Sequence, residues 1–359
     1  MASVATPYVD AMGLDEHLAR MKSPQVLWLA AFVLSVPVFA RAQTAFPKEG
    51  IAARYPGDRG IERDAKVILV EDFEAASKQE IFARWETVGD QPGMNFSDDV
   101  PTGSVGKHSL VMEREKGPGA QLYRRLKNAQ GGWGYDRVFA RYYVKFDPEC
   151  GEIHHFGPCL GGNLPATSWP SVKAGQPTDG AKSFWSGIEP FGSAWRWDFY
   201  TYWHEMRGSP PRGQTWGNSF IRDPNLKVAK GRWICVEQMI QMNDVGDSNG
   251  EQALWIDGKR VGHQGKGFPK GLWTYDKFTP SKGGGGIRWD KEKGAPERFT
   301  VPEGGAAFEG YRWRTAPELN VNYVWLYIYT EKPAGHRIKV WYDHVVVATE
   351  YIGPLVPAP

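Results

Sequence analysis

Short apolar or alternating runs recur along most of this chain, separated by turn-forming residues. They are VILVEDF at 67–73, RVFARYYVKF at 137–146, WRWDFYTYWHEM at 195–206, RWICVEQMIQMN at 232–243, EQALWIDG at 251–258, NVNYVWLYIYT at 320–330 and RIKVWYDHVVVATEYIG at 337–353. A two-residue period rich in β-branched and aromatic side chains is typical of strands. Each run is therefore predicted to form a β-strand.

The spacing of these strands predicts an all-β fold. No segment keeps a 3.6-residue apolar period for more than about two turns, so few strands can be joined by helices. This excludes a parallel α/β sheet and leaves a sandwich, jelly roll or barrel. The dipeptides Asn249-Gly250 and Asp257-Gly258 accept the positive φ angles of tight turns, so residues 232–262 are predicted to form an antiparallel meander.

A single domain is predicted from residue 66 to residue 355. Residues 43–65 contain several Pro and Gly without periodicity and are predicted to be a lead-in linker outside the core. Long loops are predicted at 161–182, which is rich in Gly, Pro and Ser, and at 263–310, which carries many charges. Such loops often lie over a binding face, although disordered insertions are the alternative.

An apolar stretch near the N-terminus indicates export. The segment from Val26 to Phe39 is almost wholly apolar and precedes Ala40-Arg41-Ala42, the small-x-small form that a signal peptidase needs. Residues 1–42 are therefore predicted to be an N-terminal extension and secretory signal peptide, which makes the protein secreted or periplasmic. A membrane anchor is the alternative, but the stretch is shorter than the about 20 residues that span a bilayer.

Export bears on the three cysteines that follow the signal. An oxidising compartment favours a disulfide between Cys150 and Cys159, with Cys235 buried and free. Three reduced thiols in the core are the alternative.

The balance of charge argues against a nucleic-acid partner. Lys plus Arg is 43 and Asp plus Glu is 41, so the net charge is +2, and no long run of one sign occurs. We expect a monomer that has no membrane contact once the signal is removed.

One strand carries a row of polar and ionisable groups. Alternation around 198–206 puts Asp198, Tyr200, Tyr202 and His204 on one face. Buried strands do not normally carry such a row, so this face is predicted to line a wet groove. An exposed sheet face that merely tolerates Tyr and His is the alternative.

Two further strands add candidate ligand-binding groups. In 232–243, Glu237, Gln241 and Asn243 share a face with large apolar residues, which suits the floor of a sugar-binding cleft. The opposite face is predicted core and consists of Ile234, Val236, Ile240 and Met242. In 138–146, Arg141 and Lys145 share a face and would add positive charge, with solvated surface as the equal alternative.

Three segments resemble the core motifs of polysaccharide lyase family 14. They are GPCLGG at 157–162, SAWRWDFYTYWHEM at 193–206, and GRWICVEQMIQMND followed by NGEQALWIDGKRVG at 231–262. Members of that family are secreted alginate and glucuronan lyases. The resemblance implies a concanavalin-like β-jelly-roll sandwich of two antiparallel sheets that acts on a polysaccharide, which we expect to be acidic.

The resemblance also implies site residues. Tyr200 and Tyr202 match the family's paired catalytic tyrosines, and Arg196 falls close to its substrate-carboxylate arginine at a different spacing. His155 stands where the family has a lysine before its Leu-Pro-Gly-x-x-Gly-Gly turn. Histidine can still serve as a general base, because its ordinary pKa of about 6.5 suits neutral pH.

β-Elimination from a uronate needs three groups and no cofactor. A cation or amide neutralises the carboxylate, a base removes the proton at C5, and an acid protonates the departing glycosidic oxygen. The candidates for these roles are, in that order, Arg196 or Arg141 helped by Gln241 or Asn243, His155 or His204, and Tyr202.

Two other functions stay open. A glycoside hydrolase on the same sandwich would use two carboxylates, for which the candidates are Glu189, Glu205, Glu237 and Asp198. No single strand, however, carries two Glu at two- or four-residue spacing. A non-catalytic sugar-binding protein would use the Trp and Tyr rows only as a stacking platform.

A structural calcium between the first and last strands is a further expectation. Glu71, Asp72 and Asp343 could supply hard oxygen ligands. Paired surface carboxylates are the alternative.

Overall fold

The alternating runs of the sequence form strands throughout the domain. This computed structural model describes residues 46–115, 117–191, 194–209, 212–281, 285–290, 295–300, 304–330 and 337–358. The predicted extension and signal peptide, residues 1–42, lie outside the described residues. Within the described ranges, no helix has the length and apolar character needed to cross a membrane.

Strands dominate the secondary structure. They are β1 Val67–Glu71, β2 Thr87–Gly89, β3 Met94–Ser97, β4 Ser109–Arg114, β5 Gly117–Arg125, β6 Arg137–Phe146, β7 His155–Phe156, β8 Cys159–Asn163, β9 Ser183–Glu189, β10 Asp198–Tyr202, β11 Trp233–Gln241, β12 Glu251–Ile256, β13 Lys259–Gln264, β14 Lys270–Thr274, β15 Lys277–Pro280, β16 Gly285–Asp290, β17 Ala295–Thr300, β18 Ala306–Ala307, β19 Tyr323–Thr330 and β20 Ile338–Ala348. The helix α1, Lys78–Ala83, is capped by Ser77. Short 3-10 turns lie at Ile51–Arg54, Pro56–Asp58, Ile61–Arg63 and Gln91–Gly93.

Two large antiparallel sheets confirm the predicted jelly-roll sandwich. The first sheet has the order β13-β12-β11-β6-β20-β4-β3, with β1 also paired to β20. The second has the order β10-β9-β8-β19-β5-β2, with β7 also paired to β19. The predicted meander is confirmed as β11, β12 and β13. Its second turn is tight, with positive φ at Asp257 and Gly258, but its first is the longer loop 242–250.

The inner faces of the two sheets form the main core. The predicted core residues of β11 and the position after it are at most 1% exposed: Ile234, Val236, Ile240 and Met242. Leu122, Val324 and Leu326 of the second sheet are fully buried in the same cluster. Burial of each such side chain contributes about 1.5–3 kcal/mol, so this apolar contact holds the sheets together.

The outer face of the first sheet is covered by the two ends of the described chain. Ile51 and Ile61 pack against Met239 and Trp255 of the sheet, together with Ile352 from the other end. The prediction that residues 43–65 lie outside the core is therefore wrong for their described part. Three 3-10 turns bury scattered apolar residues without any strand or helix period that the sequence could display.

Arg141 of β6 holds this covering segment through a buried ion pair. Its Nη2 lies 2.5 Å from Oδ2 of Asp58, and Nδ1 of His344 lies 2.9 Å from the same oxygen. Burial raises the pKa of Asp58, but Arg141 and His344 outweigh it and hold that pKa below its ordinary value. The prediction that Arg141 binds substrate is wrong, because its guanidinium is wholly buried under the covering segment.

Glu237 of β11 holds the C-terminal segment in the same way. Its two carboxylate oxygens accept hydrogen bonds from the backbone N–H groups of Ile352 and Gly353 at 2.7 and 2.8 Å. Its side chain is 1% exposed. Glu237 is therefore a structural anchor, and its predicted place in a sugar-binding cleft is wrong.

The other predicted binding residues of this sheet also have structural partners. Lys145 pairs with Asp99, and Gln241 donates to the backbone oxygen of Asp136. Asn243 donates to three backbone oxygens of neighbouring loops. These contacts give Lys145, Gln241 and Asn243 structural roles, and none of the three lines the cleft described below.

The three cysteines are buried and unpaired. The thiol of Cys150 contacts the carbonyl oxygen of Gly151 at 3.5 Å, and that of Cys159 contacts Phe156 at 3.7 Å. The expected disulfide between Cys150 and Cys159 is therefore wrong, and the reduced alternative describes the structure.

The structure agrees with one of the two predicted long loops and differs from the other. Residues 164–182 connect β8 and β9 without regular strands or helices, close to the prediction. The segment 263–310 is not one loop, since β14, β15 and β18 form a small sheet and β16 pairs with β17. Local pairing on either side of a Gly-rich run explains the difference.

The three carboxylates considered for calcium have different surroundings in this structure. The carboxylate of Glu71 already accepts from Arg84 at 2.9 Å and from Trp85 at 3.1 Å. Asp343 is buried, which raises its pKa well above the ordinary value, while the side chain of Asp72 is half exposed. Among the residues that the structure describes, no group of three or more His, Cys, Asp or Glu is arranged to hold a metal ion.

We predict that Arg141→Met destabilises the protein by about 3–5 kcal/mol, because it leaves the carboxylate of Asp58 buried without its cation. The matched control is Arg232→Met, which removes a surface ion pair to Asp257 and should cost no more than about 1 kcal/mol. Urea unfolding measures both. Equal effects of the two substitutions would contradict the anchoring role of Arg141.

Burial of Glu237 makes the stability depend on pH. Burial raises the pKa of Glu237 from 4.5 to about 7, against the two backbone donors. The folded state therefore binds more protons than the unfolded state between these values, and stability falls as pH rises through them. We predict that, as pH rises from about 4.5 to about 7.5, the free energy of unfolding of Glu237→Gln increases by roughly 3 kcal/mol relative to that of the parent protein. Urea unfolding measures this difference. A stability difference between the two proteins that stays constant across this pH range would contradict the prediction.

Candidate functional site

The outer face of the second sheet carries a row of aromatic side chains. On β10, alternation points Tyr200 and Tyr202 to this face, where Tyr202 pairs in register with Trp185 of β9. On β19, the same alternation presents Trp325 and Tyr327, which is in register with Gln121 of β5. The predicted wet groove thus lies on this sheet.

These side chains form the floor of a cleft of about 640 Å³. Its rim is formed by the loop residue Trp216 and by four residues of the loop between β8 and β9: Trp169, Pro170, Val172 and Ala174. Its ring-bearing lining residues are His154, His155, Trp169, Pro170, Trp185, Tyr200, Tyr202, Trp216, Trp325, Tyr327 and Tyr329. An apolar wall with a few polar groups is typical of a small-molecule or sugar site.

The rings are arranged for stacking. Trp325 and Tyr327 are parallel, with centroids 4.0 Å apart and an interplanar angle of 12°. The ring of Trp169 contacts that of Trp325, with centroids 5.3 Å apart. Trp169 is nevertheless 44% exposed, and Trp216 is 42% exposed. Large exposed aromatic rings beside a cleft mark a surface that a ligand can cover.

His155 lies at one side of the floor, next to a buried carboxylate. Its Nδ1 is 3.0 Å from Oε1 of Glu189 on β9. Burial raises the pKa of Glu189, while the neighbouring His155 lowers it, and the net shift is upward. The imidazole also stacks on Tyr329 with centroids 5.7 Å apart and lies 5.0 Å from Tyr200.

The two tyrosines of β10 lie side by side. The rings of Tyr200 and Tyr202 have centroids 5.7 Å apart and meet edge to face. Burial raises the pKa of both hydroxyls, and each also feels the negative charge of Glu189. Both phenols are therefore protonated at neutral pH and can donate a hydrogen bond or a proton.

Asp198 and Arg196 have a different role from the one predicted. The carboxylate of Asp198 accepts four backbone N–H groups, those of Phe199 and of residues 220–222. Arg196 lies 3.3 Å from the same carboxylate and is buried. This pair fixes the segment behind β10. Neither Asp198 nor Arg196 is among the residues that line the cleft.

His204 and Glu205 follow the end of β10 and lie away from the cleft floor. His204 packs against Gly180, and Glu205 forms a surface ion pair with Arg312 at 3.2 Å. The predicted row of four residues therefore ends after Tyr202, because the strand ends there.

Several lining residues have no place in the sequence-based predictions. Trp325 and Tyr327 alternate in the predicted strand 320–330, so the same period-two argument could have found them. Trp169 and Trp216 lie in loops, where no periodic signal exists. Asn163 positions the first of these loops: it donates to the backbone oxygen of Trp169 at 3.1 Å and accepts from the backbone N–H of Ser171 at 3.0 Å.

We predict that Asn163→Ala loosens the loop that carries Trp169, because it removes the hydrogen bonds to the carbonyl oxygen of Trp169 and from the N–H of Ser171. The expected loss of stability is about 1–3 kcal/mol, with faster amide exchange over residues 166–173. The control is Thr167→Ala, which removes one exposed hydrogen bond to the same backbone oxygen. Equal exchange in both variants would argue against Asn163 as the anchor.

Comparison with known proteins gives structural neighbours only. No family model matches the sequence, and no curated protein matches it. A PL-14 alginate lyase from Aplysia kurodai has a TM-score of 0.49 at 12% identity and covers 79% of this chain and 100% of its own. An alginate lyase from a Chlorella virus has a TM-score of 0.44 at 13% identity, and the match covers 79% of this chain and 99% of that chain. An endo-beta-1,4-glucuronan lyase from the fungus Trichoderma reesei has a TM-score of 0.38 at 14% identity, and the match covers 79% of this chain and 95% of that chain.

These neighbours are polysaccharide lyases of jelly-roll fold that are named for uronate polymers. At 12–14% identity the likeness concerns the arrangement of strands. The chemistry of this chain has to be inferred from its own cleft.

Proposed function

We propose that this protein is a polysaccharide lyase that cleaves a uronate-containing polymer by β-elimination. The observation that carries the proposal is the hydrogen-bonded pair of His155 and Glu189 beside Tyr200 and Tyr202 in an aromatic cleft. A polymer substrate also suits export, which the apolar segment from Val26 to Phe39 would direct and which is part of this proposal.

The cleft suits the binding of sugar rings. The apolar faces of pyranose rings pack against aromatic side chains. The mutually stacked rings of Trp325 and Tyr327 lie on the cleft floor. Trp169 and Trp216 extend this surface at the rim. The polar edge of Gln121 on the floor supplies a hydrogen-bonding amide for hydroxyl or carbonyl groups.

His155 is the proposed base. With Glu189 accepting a hydrogen bond from Nδ1, the free lone pair of the imidazole is on Nε2. The buried carboxylate orients the ring and stabilises the imidazolium that forms when Nε2 takes the C5 proton. The role is the one that the sequence assigned to His155 or His204, and the distance to Glu189 favours His155.

Tyr202 is the proposed acid. Its raised pKa keeps the hydroxyl protonated until the departing oxygen needs a proton. Tyr200 lies between His155 and Tyr202, with its ring 5.0 Å and 5.7 Å from theirs. It can therefore pass a proton between base and acid after each turnover.

A retaining or inverting hydrolase needs two carboxylates that flank the scissile bond. Of the four candidates, Glu189 is hydrogen-bonded to His155, which lines the cleft. Asp198 is held by four backbone N–H groups, Glu205 by Arg312, and Glu237 lies on the other sheet. Elimination therefore fits the cleft better than hydrolysis.

We predict that purified residues 43–359 release unsaturated uronate products, seen as a rise in ultraviolet absorbance. Alginate and glucuronan, each as free acid and as methyl ester, are the first substrates to assay, with neutral β-glucan as the blank polymer. Tyr202→Phe and His155→Gln should each lower kcat by about 100-fold or more, because each removes one proton-transfer group.

The matched control is Tyr275→Phe, which alters an exposed tyrosine outside the cleft and should keep full activity. Thermal unfolding of each variant checks that the fold is intact. New reducing ends without ultraviolet absorbance would assign hydrolysis instead. Retention on a polysaccharide column without any cleavage would leave a sugar-binding protein.

A further inference from the structure

The three basic side chains that the sequence predicted to contact an acidic substrate have other partners in this structure. Arg141 is wholly buried with Asp58, and Lys145 pairs with Asp99 on the first sheet. Arg196 is buried against Asp198. None of the three lines the cleft.

The cleft wall itself is uncharged apart from histidine. Among the lining residues of the described chain, none is Lys, Arg, Asp or Glu. Lys173 lies between the lining residues Val172 and Ala174, but its own side chain is exposed and is not part of the wall. The side chain of Glu189, 4% exposed behind His155, is the nearby acid.

A free carboxylate is therefore a poor fit at this site. It would leave water for an aromatic wall, close to the carboxylate of Glu189, with no Lys or Arg among the described lining residues to balance it. A neutral carbonyl group carries no charge, so it avoids both the desolvation of a charge and the repulsion by Glu189. It needs only a hydrogen-bond donor, and the amide of Gln121 is a donor on this floor.

We propose that the reacting residue of the substrate is a uronate ester, whose carboxyl group is masked as a neutral alkyl ester, and not a free uronate. This inference rests on the proposed elimination and deepens it. The ester alkyl group adds apolar surface that can pack against Trp325 and Tyr327. The ester also makes the C5 proton more acidic than a carboxylate does, because no negative charge opposes the developing carbanion.

The reaction balances with the groups present. Nε2 of His155 takes the C5 proton, the C5–H electron pair forms the C4–C5 double bond, and the C4–O bond breaks. The hydroxyl of Tyr202 gives its proton to the departing oxygen. The proton on His155 then returns to the Tyr202 phenolate through Tyr200, so the enzyme is restored, and the products are an unsaturated uronate ester and a shortened chain.

The test compares matched polymers that differ only in esterification. Methyl-esterified and free-acid forms of polygalacturonate, glucuronan and alginate are assayed by ultraviolet absorbance, with enzyme-free blanks to subtract spontaneous elimination from the esters. We expect kcat/KM to be about tenfold or more higher for the ester of the preferred polymer. Faster cleavage of the free acid, or equal rates, would overturn this inference and leave the lyase proposal standing. Cleavage of neither form would overturn both.

A positive charge introduced into the cleft by substitution provides a second test of this inference. Gln121→Arg, on the floor beside Tyr327, should lower the ester-to-acid ratio of kcat/KM several-fold, because it supplies the missing cation. Ala174→Lys does the same from the rim should the first variant fail to fold. Tyr275→Arg, outside the cleft, is the control and should leave the ratio unchanged. A ratio that does not respond to either cleft substitution would contradict the proposed charge basis of specificity.

Discussion

The buried guanidinium of Arg141 determines which face of the sandwich is left for a ligand. The inner faces of both sheets pack against each other, so two outer faces remain. A wholly buried cation needs a carboxylate partner, and Asp58 supplies it from the segment that precedes β1. With Glu237 fixing the C-terminal segment, the outer face of the first sheet is closed. The cleft forms on the second sheet, where no such cover lies over the aromatic row.

The strands and their alternation could be predicted because they depend on neighbouring residues. The pairing of Tyr200 with Tyr202 on one face follows from a period of two and is found in the cleft. Which polar row meets solvent is not a local property. Glu237 and Arg141 alternate just as regularly as the tyrosines, yet chain segments more than 80 positions away in sequence bury them. Sequence alone therefore assigned two faces to the groove where the fold leaves one.

The central pair of the site illustrates the same limit. His155 and Glu189 are 34 positions apart and meet because β7 and β8 run beside β9 in the second sheet. A resemblance to a known motif singled out His155, and its partner was considered only as a hydrolase carboxylate. Trp169 and Trp216 come from loops whose course depends on side-chain hydrogen bonds such as those of Asn163, which no periodicity reveals.

Acid–base catalysis and charge neutralisation are separable parts of the proposed elimination, and the described residues that line the cleft supply candidate groups for the first. Proton transfer needs groups within reach of one carbon and one oxygen, which β7, β9 and β10 bring together in His155, Glu189 and Tyr202. A cation interacts with a free carboxylate more strongly than a neutral amide does, and the nearby Arg196 is held by Asp198. If the carboxyl group of the substrate is already neutral, the second part is unnecessary. The sandwich can then use its cations for folding, and the specificity of the cleft follows from the charge that it lacks.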